Sequence, residues 1–242
     1  MCEALDLLLA KPIAHRGYHD AASNNHENSI SAFEAAIESG FGIECDLQVT
    51  SDRNTVVFHD PDLTRMTTET GPVRHRSKDA LSKLNLMETK DKIHSLDEHL
   101  ELTDGKVPLL LELKGIAGED NGMVKAVAKS LKAYKGPVAL MSFNHWIVKQ
   151  FAEIIPDRPR GLTAMGGDNF EHFHTLAMLQ NDLHFVSYRV HDLPCKFITK
   201  IKKEHKKSVI TWTVRNEEES DLSYANADQI TFEGYDPSKI TA

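Results

Sequence analysis

Short β-like runs alternate with helical patterns along nearly the whole chain, and this rhythm restricts the fold more than any other feature. The runs are Pro12–Ala14, Phe41–Thr50, Thr55–Phe58, Val107–Leu113, Pro137–Met141, Pro159–Leu162, Leu183–Ser187, Ser208–Val214 and Asp228–Phe232. Between them, Ile30–Ser39, Gly122–Tyr134, Asn144–Ile154, Asn169–Leu179, Pro194–Lys206 and Glu217–Ala225 repeat apolar residues at the spacings an amphipathic helix requires. That order predicts a parallel sheet covered by helices. About eight strands predict a closed (β/α)8 TIM barrel, and 242 residues suit a single barrel domain spanning 1–242. No G-x-G-x-x-G turn follows the first strand, so a dinucleotide-binding sheet has no support.

One stretch breaks the rhythm. From Asp60 to about Lys106 the chain is polar, with turn signals at Thr70-Gly71-Pro72, the basic cluster Arg74-His75-Arg76 and a short helix around Leu96–Leu102. It is too long for an ordinary connection and is expected to be a small insertion or a structured functional loop, approximately 60–106. The formal net charge of −8 argues against a nucleic-acid partner. The longest apolar stretches, Leu5 to Ala10 (broken by Asp6) and Val107 to Leu111, fall far short of the ~18 residues a membrane span needs. Glu3 and Asp6 stand ahead of the Leu7–Leu9 run, where a signal peptide would carry positive charge. Cys2, Cys45 and Cys195 form neither a zinc pattern nor a disulfide framework, so a cytoplasmic location is expected. The basic run Lys200 to Lys207 reads as the solvated face of a helix.

Polar groups concentrate where strands end: Ala14-His15-Arg16-Gly17, Ile43-Glu44-Cys45-Asp46, Phe58-His59-Asp60 and Leu111-Glu112-Leu113-Lys114. In a barrel those ends form the active face. Glu44 and Asp46 are two apart on a strand and share a face, as do Glu112 and Lys114. Three carboxylates with no cysteine partner suit one hard divalent cation, Mg²⁺ or Ca²⁺, with positions open for water and substrate. The competing reading makes them rim charges paired with Arg16 and Lys114. His15 and His59 at neighbouring strand ends favour the first, since two imidazoles can serve as general base and general acid on either side of a phosphorus. Cys45 is expected to face the helix layer as a small apolar filler. His172 and His174 read as surface residues.

The segments Ile13-Ala14-His15-Arg16-Gly17, Glu27-Asn28-Ser29, Ile43-Glu44-Cys45-Asp46-Leu47-Gln48-Val49-Thr50-Ser51-Asp52 and Val56-Val57-Phe58-His59-Asp60 resemble, in order and spacing, the N-terminal signature of glycerophosphodiester phosphodiesterases. The likeness continues through Leu63–Thr67, Ile93–Glu98, Leu111–Lys114, Ser142-Phe143 and Thr211–Asn216, and so covers nearly the whole chain. The resemblance implies a TIM barrel with a small insertion after the second strand. It implies divalent-metal binding by Glu44, Asp46 and Glu112, acid/base roles for His15 and His59, phosphate contacts from Arg16 and Lys114, and apolar walls for the glycerol from Trp212 and Phe143. It also implies a reaction in which the glycerol hydroxyl beside the phosphoester attacks phosphorus, a cyclic phosphate forms as the alcohol leaves, and water opens the ring.

Two departures stand out. The family's Pro-Glu-Asn-Thr is His26-Glu27-Asn28-Ser29 here, a change that keeps a helix-capping hydroxyl. The family's Thr-Asp near the C-terminus is replaced within Ile230-Thr231-Phe232-Glu233-Gly234, which alters the eighth strand end. The leading expectation is hydrolysis of small-molecule glycerophosphodiesters to sn-glycerol 3-phosphate and an alcohol. A lysophospholipase D-type activity would need an apolar groove for an acyl chain, and a barrel that only binds an anionic metabolite would need a lost catalytic group. Carboxylate count is compatible with either cation, and the headgroup preference and oligomeric state have no sequence signature of their own.

Overall fold

The structure is a computed structural model that describes residues 3–116 and 122–239. The elements run α1 (Glu3–Leu9), β1 (Ile13–Ala14), α2 (Ile30–Ser39), β2 (Gly42–Val49), β3 (Thr55–Val57), α3 (Lys78–Leu81), α4 (Leu96–Thr103), β4 (Leu109–Leu113) and α5 (Met123–Leu131). They continue with β5 (Val138–Ser142), α6 (His145–Ile154), β6 (Arg160–Ala164), α7 (Glu171–Gln180), β7 (Phe185–Arg189), α8 (Lys196–Lys203), β8 (Ser208–Val214), α9 (Glu217–Asn226) and β9 (Gln229–Phe232).

The expected TIM barrel is present. Neighbouring strands from β4 through β9 pair in parallel, β2 pairs with β4, and β1 closes the ring by pairing with both β2 and β9. The Thr55–Phe58 run is not part of the wall: β3 lies antiparallel on the outer end of β2, matching Val49 to Thr55 and Leu47 to Val57. The chain turns straight back through the tight Ser51–Asn54 bend, which leaves no room for the crossover a parallel neighbour needs.

Strand periodicity sorts the side chains into two apolar clusters. One parity, including Ile43, Cys45, Leu47, Leu111, Leu140, Val186 and Ile230, packs outward under the helices. Cys45 therefore sits where a small filler was expected. The other parity fills the barrel's N-terminal half: Ile13, Leu110, Ala139, Met141, Phe185 and Ile210 cluster with Leu5 and Leu8 of α1, which plugs the floor. Gly161 makes room in that floor, because a β-carbon there would lie 2.4 Å from the Phe185 ring. Gly161→Ala is therefore expected to destabilise the fold by about 1–3 kcal/mol through overpacking, read as a shifted urea midpoint at unchanged slope.

Within 60–106 the chain does two things. Leu63, Met66, Val73, Leu81, Leu86 and Ile93 form a separate small core together with Val56 of β3 and Phe58 just after it. Leu96 and Leu100 of α4 instead join the main layer between barrel and helices. A capping box starts that helix, with Ser95 accepting from the Glu98 amide and Glu98 accepting in return from the Ser95 amide. Among the described residues no helix is long and apolar enough to cross a membrane.

Candidate active site

Continuing the inward parity of each strand toward its C-terminal end replaces apolar residues by charged ones. On β2 the inward positions become Glu44 and Asp46, and on β4, beyond Leu110, Glu112 and then Lys114. The β2–β4 register sets Asp46 beside Glu112. The three carboxylates are buried, and one oxygen from each lies within 4.8 Å of the others. Burial first, then the neighbouring charges of Asp46 and Glu112, pushes Glu44 well above the usual carboxylate range. Burial likewise raises Glu112. Asp46 goes the other way: although burial works against it, Lys114 and Arg16 hold its carboxyl well below the usual range. Lys114 Nζ is 2.9 Å from Asp46 Oδ1 and also bonds Glu112.

The first strand delivers His15 and Arg16 through a left-handed turn. Arg16 has φ 58° and Gly17 φ 84°. The turn aims the Arg16 amide at Glu44 Oε2, 3.0 Å away. Glycine is required next, because a β-carbon on Gly17 would stand 2.8 Å from that of Ala32. Asn28 donates its carboxamide to Asp46 Oδ2 at 2.9 Å and Ser29 caps α2 by accepting from the Ala32 amide at 3.0 Å. The change from Thr to Ser in this motif thus leaves the cap intact.

Each histidine leans on a carboxylate. His15 Nδ1 is 2.6 Å from Glu233 Oε2, and His59 Nδ1 is 2.7 Å from Asp60 Oδ1. An ionised carboxylate only accepts, so in both rings Nδ1 carries the proton and Nε2 is left for chemistry. Burial pushes His15 below the ordinary imidazole value despite its hydrogen bond to Glu233, and so favours the neutral ring. The bond from His15 in turn holds Glu233 down to about 2. The His15 Nε2 atom is 4.0 Å from Glu44 Oε2.

A chain of ion pairs ties the small second core to this rim. Arg16 Nη1 bonds Glu27 at 2.8 Å, Arg65 Nη2 bonds the same carboxylate at 2.7 Å, and Arg65 Nε bonds Asp60 Oδ2 at 2.6 Å. The partner of His59 is therefore fixed by the segment that interrupts the barrel rhythm.

A cavity of about 230 Å³ collects His15, Arg16, Glu44, His59, Glu112, Lys114, Phe143 and Trp212 at one mouth. Asp46 lies just behind it. Phe143 and Trp212 meet edge to face with ring centroids 5.5 Å apart, forming an apolar wall. All nine residues singled out in the sequence thus converge. Arg189, His191 and Arg215 also line the cavity. Of the residues sequence reasoning passed over, Glu233 and Asp60 orient the histidines, and Asn28 and Glu27 hold Asp46 and Arg16. His59-Asp60 adjacency was a readable signal for Asp60; Glu233 had only its place at a strand end. His174 corrects the surface reading of that residue: it is buried, its Nε2 is 2.9 Å from the Met165 carbonyl, and its ring packs on Phe197.

The donor set fits a divalent cation. All three ligand candidates offer oxygen, and Glu44 Oε1 is buried without a hydrogen-bond partner. A buried carboxylate oxygen of that kind calls for a cation or a water.

The chain matches the sequence profile of the "Glycerophosphoryl diester phosphodiesterase family" over residues 15–232. A glycerophosphodiester phosphodiesterase of Caldanaerobacter subterraneus is 29% identical over 220 residues, covering 86% of each chain. Among solved structures, an Oleispira antarctica phosphodiesterase in complex with the product sn-glycerol-3-phosphate superposes with TM-score 0.83 at 21% identity, covering 95% of this chain and 94% of that one. A Thermotoga maritima glycerophosphodiester phosphodiesterase gives 0.75 at 21% identity, over 91% and 92%.

Proposed function

Because the chain belongs to the glycerophosphoryl diester phosphodiesterase family, we propose that it hydrolyses glycerophosphodiesters to sn-glycerol 3-phosphate and an alcohol through a cyclic phosphate, with His15 as base and His59 as acid. The observation that carries this reading is the convergence of Glu44, Asp46 and Glu112 beside two histidines whose Nδ1 atoms are already committed to carboxylates. Glu44, Asp46 and Glu112 would hold a divalent cation, Mg²⁺ or Ca²⁺, which offsets charge on the phosphoryl oxygens and lowers the pKa of a hydroxyl beside it. Arg16 and Lys114 take further phosphate oxygens, and Phe143 with Trp212 packs on the glycerol carbons.

In this reading the neutral His15 accepts the proton of the glycerol 2-hydroxyl. That oxygen bonds to phosphorus as the phosphorus–oxygen bond to the alcohol breaks, and His59, which in this role carries a second proton on Nε2, gives that proton to the alcohol. Water then opens the ring with the two histidines exchanging roles. The free thiols of Cys45 and Cys195 are in keeping with a cytoplasmic setting.

The direct test is phosphorus NMR of a panel of glycerophosphodiesters incubated with the purified protein, with and without chelator. Chelator-sensitive release of sn-glycerol 3-phosphate is expected; none from any diester would overturn the reading. Glu44→Gln is expected to weaken calorimetric metal binding by more than about tenfold while the fold survives, since even outer-shell partners of a metal are worth about 10–100-fold in affinity. Unchanged affinity would remove Glu44 from the ligand set.

A further inference from the structure

The cavity mouth carries charge on two opposite sides, and the proposed chemistry uses one of them. The wall strands run β1, β2, β4, β5, β6, β7, β8 and β9 around the closed ring, so β7 stands four places from β2 and β8 four places from β4. Glu44, Asp46, Glu112 and Lys114 therefore face the ends of β7 and β8 across the mouth. Those ends carry Arg189, His191 and Arg215, which all line the cavity. Among the described residues lining it, the carboxylates are Glu44 and Glu112 alone, so the far arc presents positive charge in a chain whose formal net charge is −8.

Acidic partners outside the cavity lining hold these cations in place. Asp192 accepts from Arg189 Nε at 2.9 Å and from Nη2 at 2.7 Å, and is itself fixed by the Gly166 amide at 2.7 Å. That bidentate grip spends one edge of the guanidinium. Among the described residues no hydrogen bond engages its Nη1. Arg215 is half-exposed, with Nη1 3.3 Å from the Thr213 carbonyl and Nη2 3.4 Å from Glu233 Oε1, both long for a charged donor. His191 is exposed, its Nε2 3.8 Å from Glu219. Guanidinium groups with donors to spare suit phosphate and carboxylate oxygens.

We infer that Arg189 and Arg215, with His191 at the rim, form a subsite for a second anionic group, phosphate or carboxylate, on a glycerophosphodiester that spans the mouth from the carboxylate cluster. The inference rests on the proposed reading of the catalytic site and specifies the substrates that site prefers. Neither arginine is required for the reacting phosphate, which has Arg16 and Lys114 beside the carboxylates. Trp212 supplies the reach: it pairs in register with Arg189, so a substrate packed on that ring ends beside the guanidinium. The second anion can sit on the leaving alcohol or on the terminal glycerol oxygen. In both cases the chemistry is unchanged, because the 2-hydroxyl oxygen still bonds to phosphorus, the alcohol oxygen still leaves with a proton, and water still opens the ring. A cationic alcohol such as choline instead meets like charge across the mouth.

The test compares four diesters on the full chain supplied with Mg²⁺ and, separately, Ca²⁺. They are the butyl diester of glycerol 3-phosphate, the matching diester of 4-hydroxybutanoate, the butyl diester with a phosphate on its terminal glycerol oxygen, and glycerophosphocholine. A hydrogen bond to a charged group contributes roughly tenfold or more in binding, so at least one anionic diester should exceed the butyl diester in kcat/KM by about that factor, chiefly through KM. Glycerophosphocholine should fall below both. Which anionic diester gains identifies the end of the substrate that reaches the arc, and the gain should shrink as salt is raised. Arg189→Gln and Arg215→Gln should each bring the ratio of anionic to butyl kcat/KM toward one. The ratio is the readout because a disturbance passed from Arg215 through Glu233 to His15 would slow every diester alike. Lys149→Gln, the same loss of charge at a residue outside the cavity lining, should leave the ratio unchanged. If the butyl diester is cleaved and neither anionic diester gains, the inference falls and the catalytic reading stands. A gain that survives both arginine variants, or that ignores salt, would also overturn it. If no diester is cleaved, the inference and the reading beneath it fall together.

Discussion

A glycerophosphodiester whose glycerol lacks the 2-hydroxyl is expected to bind almost as well as its parent and to turn over at least about 10³-fold more slowly. Binding should persist because the phosphate still meets Arg16, Lys114 and the carboxylate-held cation. Turnover should collapse because neither Ser142 nor Cys45 is placed to replace the missing nucleophile. Ser142 is buried and donates its hydroxyl to the Leu113 carbonyl at 2.6 Å. Cys45 is buried on the outer face of β2, and its thiol is pushed far up by burial. Well-oriented intramolecular attack has an effective molarity of roughly 10⁵ M or more, which exceeds the concentration of water by about 10³-fold. The inhibition constant of the deoxy analogue against the parent diester, together with its own kcat, measures both halves of the claim. Turnover close to that of the parent would mean that water attacks phosphorus directly.

Why the barrel could be read from the sequence is visible in β2 and β4. Each encodes two parities at once: Ile43, Cys45 and Leu47 pack outward while Glu44 and Asp46 point in, and Leu111 and Leu113 pack outward while Glu112 and Lys114 point in. Buried carboxylates at inward positions near a strand's end are costly unless paired with a cation, so their presence there marks a candidate site in the sequence itself. His15 and His59 were legible for the same reason, as polar groups at ends of apolar runs.

What escaped the sequence reading depends on contacts between distant segments. Glu233 follows β9 and is 218 positions from His15, yet closure of the ring through β1 and β9 brings it within 2.6 Å. Local pattern has no access to such a pairing. The Glu27–Arg65–Asp60 chain is similar, since Arg65 lies in a turn of the separate small core and reaches across to a residue before α2. Those links give the insertion a physical role. It fixes Asp60, and through Asp60 the ring of His59. The altered eighth strand end bears on the site itself, because Glu233 takes the hydrogen of His15 Nδ1.

The two histidines should separate when the leaving group is changed. Each positioned proton-transfer group typically contributes about 10²–10⁴-fold, so both His15→Ala and His59→Ala are expected to lose that much kcat on an alkyl diester such as glycerophosphocholine. On a p-nitrophenyl diester of glycerol phosphate the leaving phenolate needs no proton. His59→Ala should then recover most of its activity, because the step it assists no longer limits. His15→Ala should stay impaired, because the 2-hydroxyl must still be deprotonated whatever leaves. Calorimetric metal titration of both variants distinguishes this from ligand loss, and affinity near that of the parent protein is expected since neither imidazole belongs to the carboxylate cluster. Recovery by His15→Ala in place of His59→Ala would exchange the two roles. Recovery by neither, with metal affinity lost, would make the histidines ligands and leave the acid and base to be sought among the other side chains lining the cavity.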